Sequence, residues 1–250
     1  MMLKRCLALL LSLLLLLGLA ACKKDPEPEP PTGDPTPKPD TKEEETTLFA
    51  SGTVEGITWE VHTNGVMYLK GSGALPDYDD VTKSDPWIDQ PWYEHGGENG
   101  TRRSDAEMGT IPVTKLIVGE GITALGAHAF SHFESLLAVE LPSTLTTVSY
   151  KAFANCKKLR TVSGGIGVVT VESEAFRGCT DLASIDLSTP LATVQSSAFD
   201  DLRSLADADW KLTLRFHGTE EQWLATRNAM TVENGNDILF SGSVVEYVTP

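Results

Sequence analysis

The 250-residue chain has little positive charge, with 20 lysines and arginines against 35 aspartates and glutamates, a formal net charge of −15. Because phosphates are bound by basic surfaces, so acidic a chain is not expected to bind nucleic acid. It also lacks a nucleophile motif, a phosphate-binding loop and a cluster of metal-ligand residues, and its carboxylates show no spacing that nominates an acid and base pair. We therefore expect no enzymatic activity, no cofactor and no metal site.

Cysteine is scarce as well, with four in the chain. Cys6 lies in an apolar leader, Cys22 follows that leader, and Cys156 and Cys179 lie 23 residues apart in the body of the chain. The latter two are either small buried hydrophobic residues or the partners of a disulfide between neighbouring repeats. The sequence leaves both alternatives open.

Long apolar runs are missing except at the amino terminus, where Lys4 and Arg5 precede an apolar stretch that ends at Leu17. This stretch is shorter than the roughly 20 residues of a membrane-spanning helix, and the pattern is typical of a secretory signal. Residues 1–21 end in Leu-Ala-Ala before Cys22, which resembles a bacterial lipobox. The resemblance implies cleavage before Cys22 and a lipid anchor on its thiol.

Residues 22–47 contain repeated prolines and acidic residues and almost no apolar side chains. Such a composition cannot form a hydrophobic core. We predict an extended, disordered tether between the membrane and the folded body.

An alanine–phenylalanine pair recurs every 23 residues in the body, with the phenylalanines at Phe130, Phe153, Phe176 and Phe199. Leucine follows each phenylalanine after six residues, and valine or isoleucine follows the first three after nine. A fixed period of about 20 to 29 residues with an L-x-x-V-x-L core is the pattern of a leucine-rich repeat. We predict a β-rich leucine-rich repeat solenoid of about four to five coils of 23 residues over residues 111–209, with the phenylalanines in its core.

The segments on both sides of the repeats are predicted to cap them, because the end coils of a solenoid expose apolar surface. Residues 48–110 should contain a β-hairpin in which a three-residue loop ending at Gly65 places Trp59 opposite Leu69.

Residues 210–250 are predicted to form a small α/β cap. An edge strand should run from Trp210 to Phe216, and a short helix should begin with a capping box of Thr219 and Gln222. Strand-like runs follow at residues 238–240 and 244–248.

The segments L-x-x-V-x-L-P and L-x-x-V-x-x-x-A-F resemble the BspA-type bacterial leucine-rich repeat. Residues 59–93 are similar to the amino-terminal unit that often accompanies it, and the final F-x-G-T-E-x-x-W segment is similar to the end of such proteins. The resemblance implies a monomeric, lipid-anchored protein of the bacterial envelope, at the outer membrane or cell surface, that binds or adheres to an extracellular protein or glycan. Two alternatives are an envelope structural lipoprotein and a glycan-binding accessory of a polysaccharide-uptake system.

The residues between the core positions of L-x-x-V-x-L should point outward along one sheet. Several of them are acidic and form a candidate binding face for a basic partner or a cation, although solvated acids are also expected on so acidic a chain. The candidate residues of this face are Glu140, Asp186, Asp207 and Asp209.

Aromatic residues are concentrated in the segment before the repeats. Trp87, Trp92 and Tyr93 near carboxylates are a candidate glycan-binding loop, or else they cover the open end of the first coil. His128 and His132 lie four residues apart, but they are interpreted as variable surface positions without a third metal ligand.

Overall fold

The computed structural model describes residues 46–78, 90–93, 113–202 and 211–249. The predicted signal peptide, Cys22 and the predicted tether up to residue 45 lie outside the described residues. Trp87, Asp207 and Asp209 also lie outside them.

Most strands of the described residues form a nine-stranded sheet. Its strands, in spatial order, are β1 (Leu48–Val54), β2 (Ile57–His62), β3 (Val66–Lys70), β5 (Lys115–Val118), β7 (Ala138–Leu141), β9 (Thr161–Gly164), β11 (Ser184–Ser188), β13 (Leu212–His217) and β15 (Ser243–Val248).

The remaining strands form a six-stranded sheet of short segments. They are β4 (Gly73–Ala74), β6 (Ile122–Leu125), β8 (Thr147–Val148), β10 (Thr170–Val171), β12 (Thr193–Val194) and β14 (Thr231–Val232).

Each repeat contributes one strand to each sheet, and equivalent residues of neighbouring repeats pair in parallel. Val139 pairs with Val162 in the nine-stranded sheet, and Val148 pairs with Val171 in the six-stranded sheet. The segment around each repeat phenylalanine forms the third side of the repeat, which we call the turn side. Its backbone also bonds to the next repeat, since the Phe130 N–H donates to the Ala152 carbonyl at 2.8 Å.

The four repeat phenylalanines are buried and stack on one another, as predicted. Their exposed fractions are at most 2%. Ring centroids of neighbours lie 5.5, 5.4 and 5.3 Å apart, with interplanar angles of 16°, 8° and 10°. Three residues after the phenylalanine, the equivalent position of two neighbouring repeats holds Cys156 and Cys179, which are buried and not joined in a disulfide. Their Sγ atoms contact the carbonyl oxygens of the preceding repeats' phenylalanines at 3.1 and 3.2 Å, so the disulfide alternative is not the observed one.

The predicted hairpin register is confirmed, with Trp59 opposite Leu69 and Val61 opposite Met67. Gly65 adopts a φ of 77°, a left-handed conformation that glycine reaches without steric cost. The structure adds β1, which pairs antiparallel with β2 at the edge of the sheet. The hairpin joins the repeats because β3 pairs in parallel with β5.

The carboxyl-terminal block is partly as predicted. Helix α1 (Glu220–Ala229) begins with the expected capping box of Thr219 and Gln222. The run Ile238–Ser241 is a short helix, α2, so the prediction of a strand there was wrong. A short apolar run does not distinguish helix from strand by its periodicity. Neither helix of the described part of the chain is long and apolar enough to cross a membrane.

The strand predicted from Trp210 to Phe216 is found as β13, but its prediction as an edge strand was wrong, because β13 lies between β11 and β15. Ser188 and His217 are paired in register although 29 residues separate them, six more than the repeat period. The strand that follows β11 in the sheet therefore begins after the segment that holds Asp207 and Asp209. Those two residues do not occupy the positions beside Ser184 and Asp186, which Thr213 and Arg215 hold.

Candidate binding surfaces

The outer face is the side of the nine-stranded sheet that points away from the core. Its side chains alternate along β2 to β15 with those of the buried residues, and the strand register places them in rows. Its charged and aromatic members are Glu60, His62, Tyr68, Lys70, Lys115, Glu140, Asp186, Arg215, His217 and Glu246.

At the hairpin end of the outer face, one carboxylate organises three side chains. Glu60 accepts a hydrogen bond from Lys70 Nζ at 2.7 Å and contacts His62 Nε2 at 3.3 Å. The hydrogen bonds from Lys70 and His62 lower the pKa of Glu60. Tyr68 lies edge-on to the His62 ring at 5.2 Å, and Lys70 Nζ lies 5.4 Å from the centre of the Tyr68 ring. These contacts hold Tyr68 in a defined position.

Glu140 lies on the outer face as predicted and forms an ion pair with Lys115, with 2.6 Å between its Oε1 and Lys115 Nζ. Glu140 keeps 47% of its side-chain surface exposed. The charge of this acid is therefore matched by a neighbouring base.

Asp186 is held by its neighbours, and only 8% of its surface is exposed. Its oxygens lie 3.1 Å from Arg215 Nη1 and 3.0 Å from His217 Nε2, and it accepts a hydrogen bond from the Gly164 N–H at 3.0 Å. Asp186 occupies the predicted outward position, but its carboxylate is enclosed because β13 brings Arg215 beside it. The carboxylate orients Arg215, whose side chain remains 40% exposed.

Trp92 does not form a glycan platform, so that part of the prediction was wrong and the cap alternative describes it. It lies in a short 3-10 helix, Pro91–Tyr93, and is fully buried. Its ring stacks on Phe130 at 5.2 Å and 6°, and its Nε1–H donates to the Ala129 carbonyl at 3.0 Å. It extends the phenylalanine ladder by one ring. Trp87 and the Tyr93 side chain lie outside the described residues.

A row of side-chain acceptors between repeats was missed by sequence reasoning. In three successive turns, the backbone N–H three residues before the phenylalanine donates to a carboxylate or amide of the next segment. These pairs are Tyr150 with Glu172 at 2.8 Å, Ser173 with Gln195 at 3.1 Å and Ser196 with Glu233 at 2.9 Å. Some of the chain's acids thus have a structural role.

The turn side displays two further rows whose backbones are left-handed. Residues two before and two after the phenylalanines have φ between 51° and 73° in these rows, mostly without glycine. His128 belongs to the first row and is 6% exposed, so its prediction as a surface residue was wrong. Its ring meets the Tyr150 ring edge-on at 5.4 Å. Among the described residues, no group of three metal-binding side chains occurs.

A groove of about 360 Å³ runs along the turn side. Arg177 lies in it and is held by Glu174 at 2.9 Å and by Asp201 at 3.0 Å, and these bonds raise the pKa of Arg177. The groove is lined by His128, Ser131, His132, Lys151, Ala154, Asn155, Glu174, Arg177 and Asp201.

Parallel strands in 23-residue register, with a core of stacked phenylalanines, define a leucine-rich repeat protein with a β-rich fold. The BspA type leucine-rich repeat region matches residues 104–218, in six copies. The repeat region of this chain therefore belongs to the BspA-type leucine-rich repeat family. Proteins with such repeats are in general bacterial surface and protein-interaction modules.

Comparison with solved structures finds other bacterial leucine-rich repeat proteins. A leucine-rich repeat protein from Eubacterium ventriosum is 18% identical, with a TM-score of 0.47 over 69% of this chain and 45% of the other. A leucine-rich cell surface protein from Faecalibacterium prausnitzii is 18% identical, with a TM-score of 0.41 over 74% and 43%. A T. pallidum leucine-rich repeat protein is 15% identical, with a TM-score of 0.38 over 80% and 85%. This chain spans less than half the length of the first two. A search of curated proteins gave no match.

Proposed function

We propose that the protein is a lipid-anchored binding module of the bacterial cell surface, and that the outer face of its repeats binds an extracellular protein. The lipobox-like residues before Cys22 support the anchor, and the proline-rich residues 22–47 support a tether. The BspA-type repeats support a role in interaction rather than in catalysis.

The architecture we infer is a solenoid of three 23-residue coils followed by two longer ones, closed at both ends. Strands β1, β2 and β3 together with Trp92 cover the first coil. Strand β15 and helix α1 cover the last. Trp92 stacked on Phe130 supports the amino-terminal cap. Trp223 of α1, packed 5.3 Å from Phe216, supports the carboxyl-terminal one.

The observation that carries the proposal is the register-aligned row on the outer face, which runs from Tyr68 past Ile117 and Glu140 and continues through Asp186 to Arg215. Tyrosine and arginine are enriched among the residues that dominate protein interfaces. Both are held in place by neighbours here, so less conformational entropy is lost when a partner binds. Small residues lie between them at Thr161, Ser163 and Ser184, which leaves the middle of the face accessible to a partner.

The outer face is close to electrically balanced although the whole chain is strongly acidic. It carries four acidic and three basic side chains, so the affinity of this face for a partner should depend only weakly on salt concentration. The acids are Glu60, Glu140, Asp186 and Glu246, and the bases are Lys70, Lys115 and Arg215. The proposal therefore replaces the predicted basic partner with one that presents a mixed polar surface.

The test uses residues 48–250 as bait against purified host matrix proteins, with and without single substitutions on the outer face. Tyr68→Ala and Arg215→Lys should each weaken capture at least tenfold at an unchanged melting temperature, because lysine keeps a positive charge beside the buried Asp186 carboxylate but loses the planar guanidinium. Lys158→Ala, an exposed residue outside the strands of this sheet, is the matched control and should bind like wild type. Equal capture by all three variants would contradict the role of the outer face.

Location is tested separately by protease treatment of whole cells. A surface protein is cleaved, whereas a protein that faces the periplasm survives. Survival in intact cells together with cleavage in lysed cells would favour the alternative of an envelope lipoprotein that binds proteins of its own cell.

A further inference from the structure

The groove on the turn side is separate from the outer face and is built from four consecutive repeats. Its lining residues come from the segments 128–132, 151–155 and 174–177 and from Asp201. A volume of about 360 Å³ is within the usual range of small-molecule sites. The groove therefore has the size and the definition of a binding site.

All four residues two before the phenylalanines have a left-handed backbone, and from this row Lys151 and Glu174 bring charged side chains into the groove. Lys151 and Glu174 have φ values of 53° and 57°, where a residue with a Cβ is disfavoured and glycine is not. In the neighbouring row, Gly178 holds the equivalent of Asn155 with a φ of 73°. Strained residues of this kind concentrate at functional sites.

The ion pair between these two residues does not offset the strain. Lys151 Nζ lies 3.6 Å from Glu174 Oε2, and the two side chains are 29% and 22% exposed. A pair that is so long and reached by water contributes little to stability. Glu174 also accepts the 2.9 Å hydrogen bond from Arg177, so the charged side chains form one polar network along the groove.

The lining favours a ligand rich in hydroxyl groups. Lysine and arginine donors alternate with glutamate and aspartate acceptors, and the two charges of each sign cancel. A simple anion would meet Glu174 and Asp201, and a simple cation would meet Lys151 and Arg177. Sugar hydroxyls both donate and accept, so they satisfy both kinds of side chain at once.

The spacing of the repeats selects an extended chain of sugar rings. Beneath the turns, the ring centroids of neighbouring phenylalanines lie 5.3 to 5.5 Å apart. An extended peptide advances about 3.3 Å for one residue and about 6.6 Å for two. Neither length matches the distance between neighbouring repeats. One pyranose ring of an extended, equatorially linked polysaccharide advances by a similar length to one turn. We propose that the groove binds such a polysaccharide, with one ring on each repeat.

The first experiment titrates the purified full chain in detergent with xylo-, cello- and chito-oligosaccharides of two to six rings, followed by calorimetry. Because the groove covers four repeats, the affinity for at least one series should rise with length up to four rings and then level off. Maltohexaose, whose chain coils, should bind at least tenfold more weakly than that series. The proposal is overturned if no extended series binds at millimolar concentration, or if affinity does not grow with length.

The second experiment compares variants with the best of these oligosaccharides. Glu174→Gln and Lys151→Gly should each weaken binding at least tenfold, and Lys151→Gly should melt at or above the wild-type temperature because its strain is relieved. Ser197→Gly is the matched control, since Ser197 has a φ of 56° in the same row but does not line the groove. Unchanged binding in both groove variants, or a clear fall in the melting temperature of Lys151→Gly, would overturn the inference.

This inference does not rest on the proposed protein partner. Tyr68→Ala should leave oligosaccharide binding unchanged, and Glu174→Gln should leave protein capture unchanged. The two sets of variants therefore test the two proposals independently, and one proposal can fail while the other holds.

Discussion

Replacing Phe153 with alanine should destabilise the protein more than almost any other single substitution in the repeats. Phe153 is fully buried and stacks on two rings, with Phe130 at 5.5 Å on one side and Phe176 at 5.4 Å on the other. Truncation of a buried phenylalanine to alanine costs about 3 to 5 kcal/mol, from lost transfer free energy and the cavity left behind.

Two lost ring contacts place Phe153→Ala at the upper end of this range, near 5 kcal/mol, because each aromatic pair contributes about 0.5 to 1.5 kcal/mol beyond its buried area. Phe199 contacts one neighbouring ring of the ladder, Phe176 at 5.3 Å. Phe199→Ala should therefore cost less than Phe153→Ala by about the value of one pair.

Urea unfolding of residues 48–250, followed by circular dichroism, measures these differences. Leu137→Ala is the control, because Leu137 is a large apolar residue that is 38% exposed, and its loss should change the unfolding free energy by about 0.5 kcal/mol or less. A Phe153→Ala cost below about 1 kcal/mol would refute the stacked core, since no buried ring is that cheap to remove.

Three further predictions concern single positions. Gly164→Ala should cost about 1 to 3 kcal/mol in urea unfolding, because Gly164 has a φ of 77° and an added Cβ would overlap the Leu141 carbonyl oxygen. The bond from Lys70 lowers the pKa of Glu60 below its ordinary 4.5, so this pair stabilises the folded state above that pH and ceases to do so as the pH falls through the folded-state pKa. The difference in urea midpoint between wild type and Glu60→Gln should accordingly be present at neutral pH and shrink as the pH falls below the ordinary pKa of 4.5 of this group. Cys22→Ala should abolish labelling of the protein by radioactive palmitate in growing cells, and retained labelling would exclude the lipid anchor at this residue.

The core could be predicted from the sequence because burial imposes the same demand on every repeat. Phe130, Phe153 and Phe176 occupy one phase of the 23-residue period, and each must be apolar for its neighbours to be covered. The hairpin register followed from a similar demand, since only one pairing places Trp59 and Leu69 on the same buried face.

The far end of the outer face could not be predicted by extending the period. Six extra residues between β11 and β13 change which residue lies beside Asp186, from an expected acid to Arg215. The apolar alternation resumes in β13 with Leu212, Leu214 and Phe216, but it does not indicate which residues of β11 these pair with. A single sequence shows that the phase fails but not where it resumes.

The turn side could not be predicted because its defining feature is backbone conformation. Lys151 and Glu174 carry no preference for a left-handed φ, so their sequence gives no sign of it. The hydrogen bond from Tyr150 to Glu172 also joins different repeats, and a local reading of either segment does not connect them. In both cases the contacts with the next repeat determine the arrangement.

These rows of side chains constrain what the protein can recognise. The paired strands and the stacked phenylalanines hold the repeats in register, so every outward position becomes a row with one residue per repeat, about 4.8 Å apart along the sheet. On the outer face, Tyr68 and Arg215 lie toward opposite ends of one row, and each is held in place by its neighbours. This arrangement suits a broad protein surface. On the turn side the row is narrow, polar and strained, which suits a thin chain with a matching period. Because both rows depend on the same ladder, one substitution at Phe153 should impair both kinds of binding, whereas substitutions in one row should impair only one.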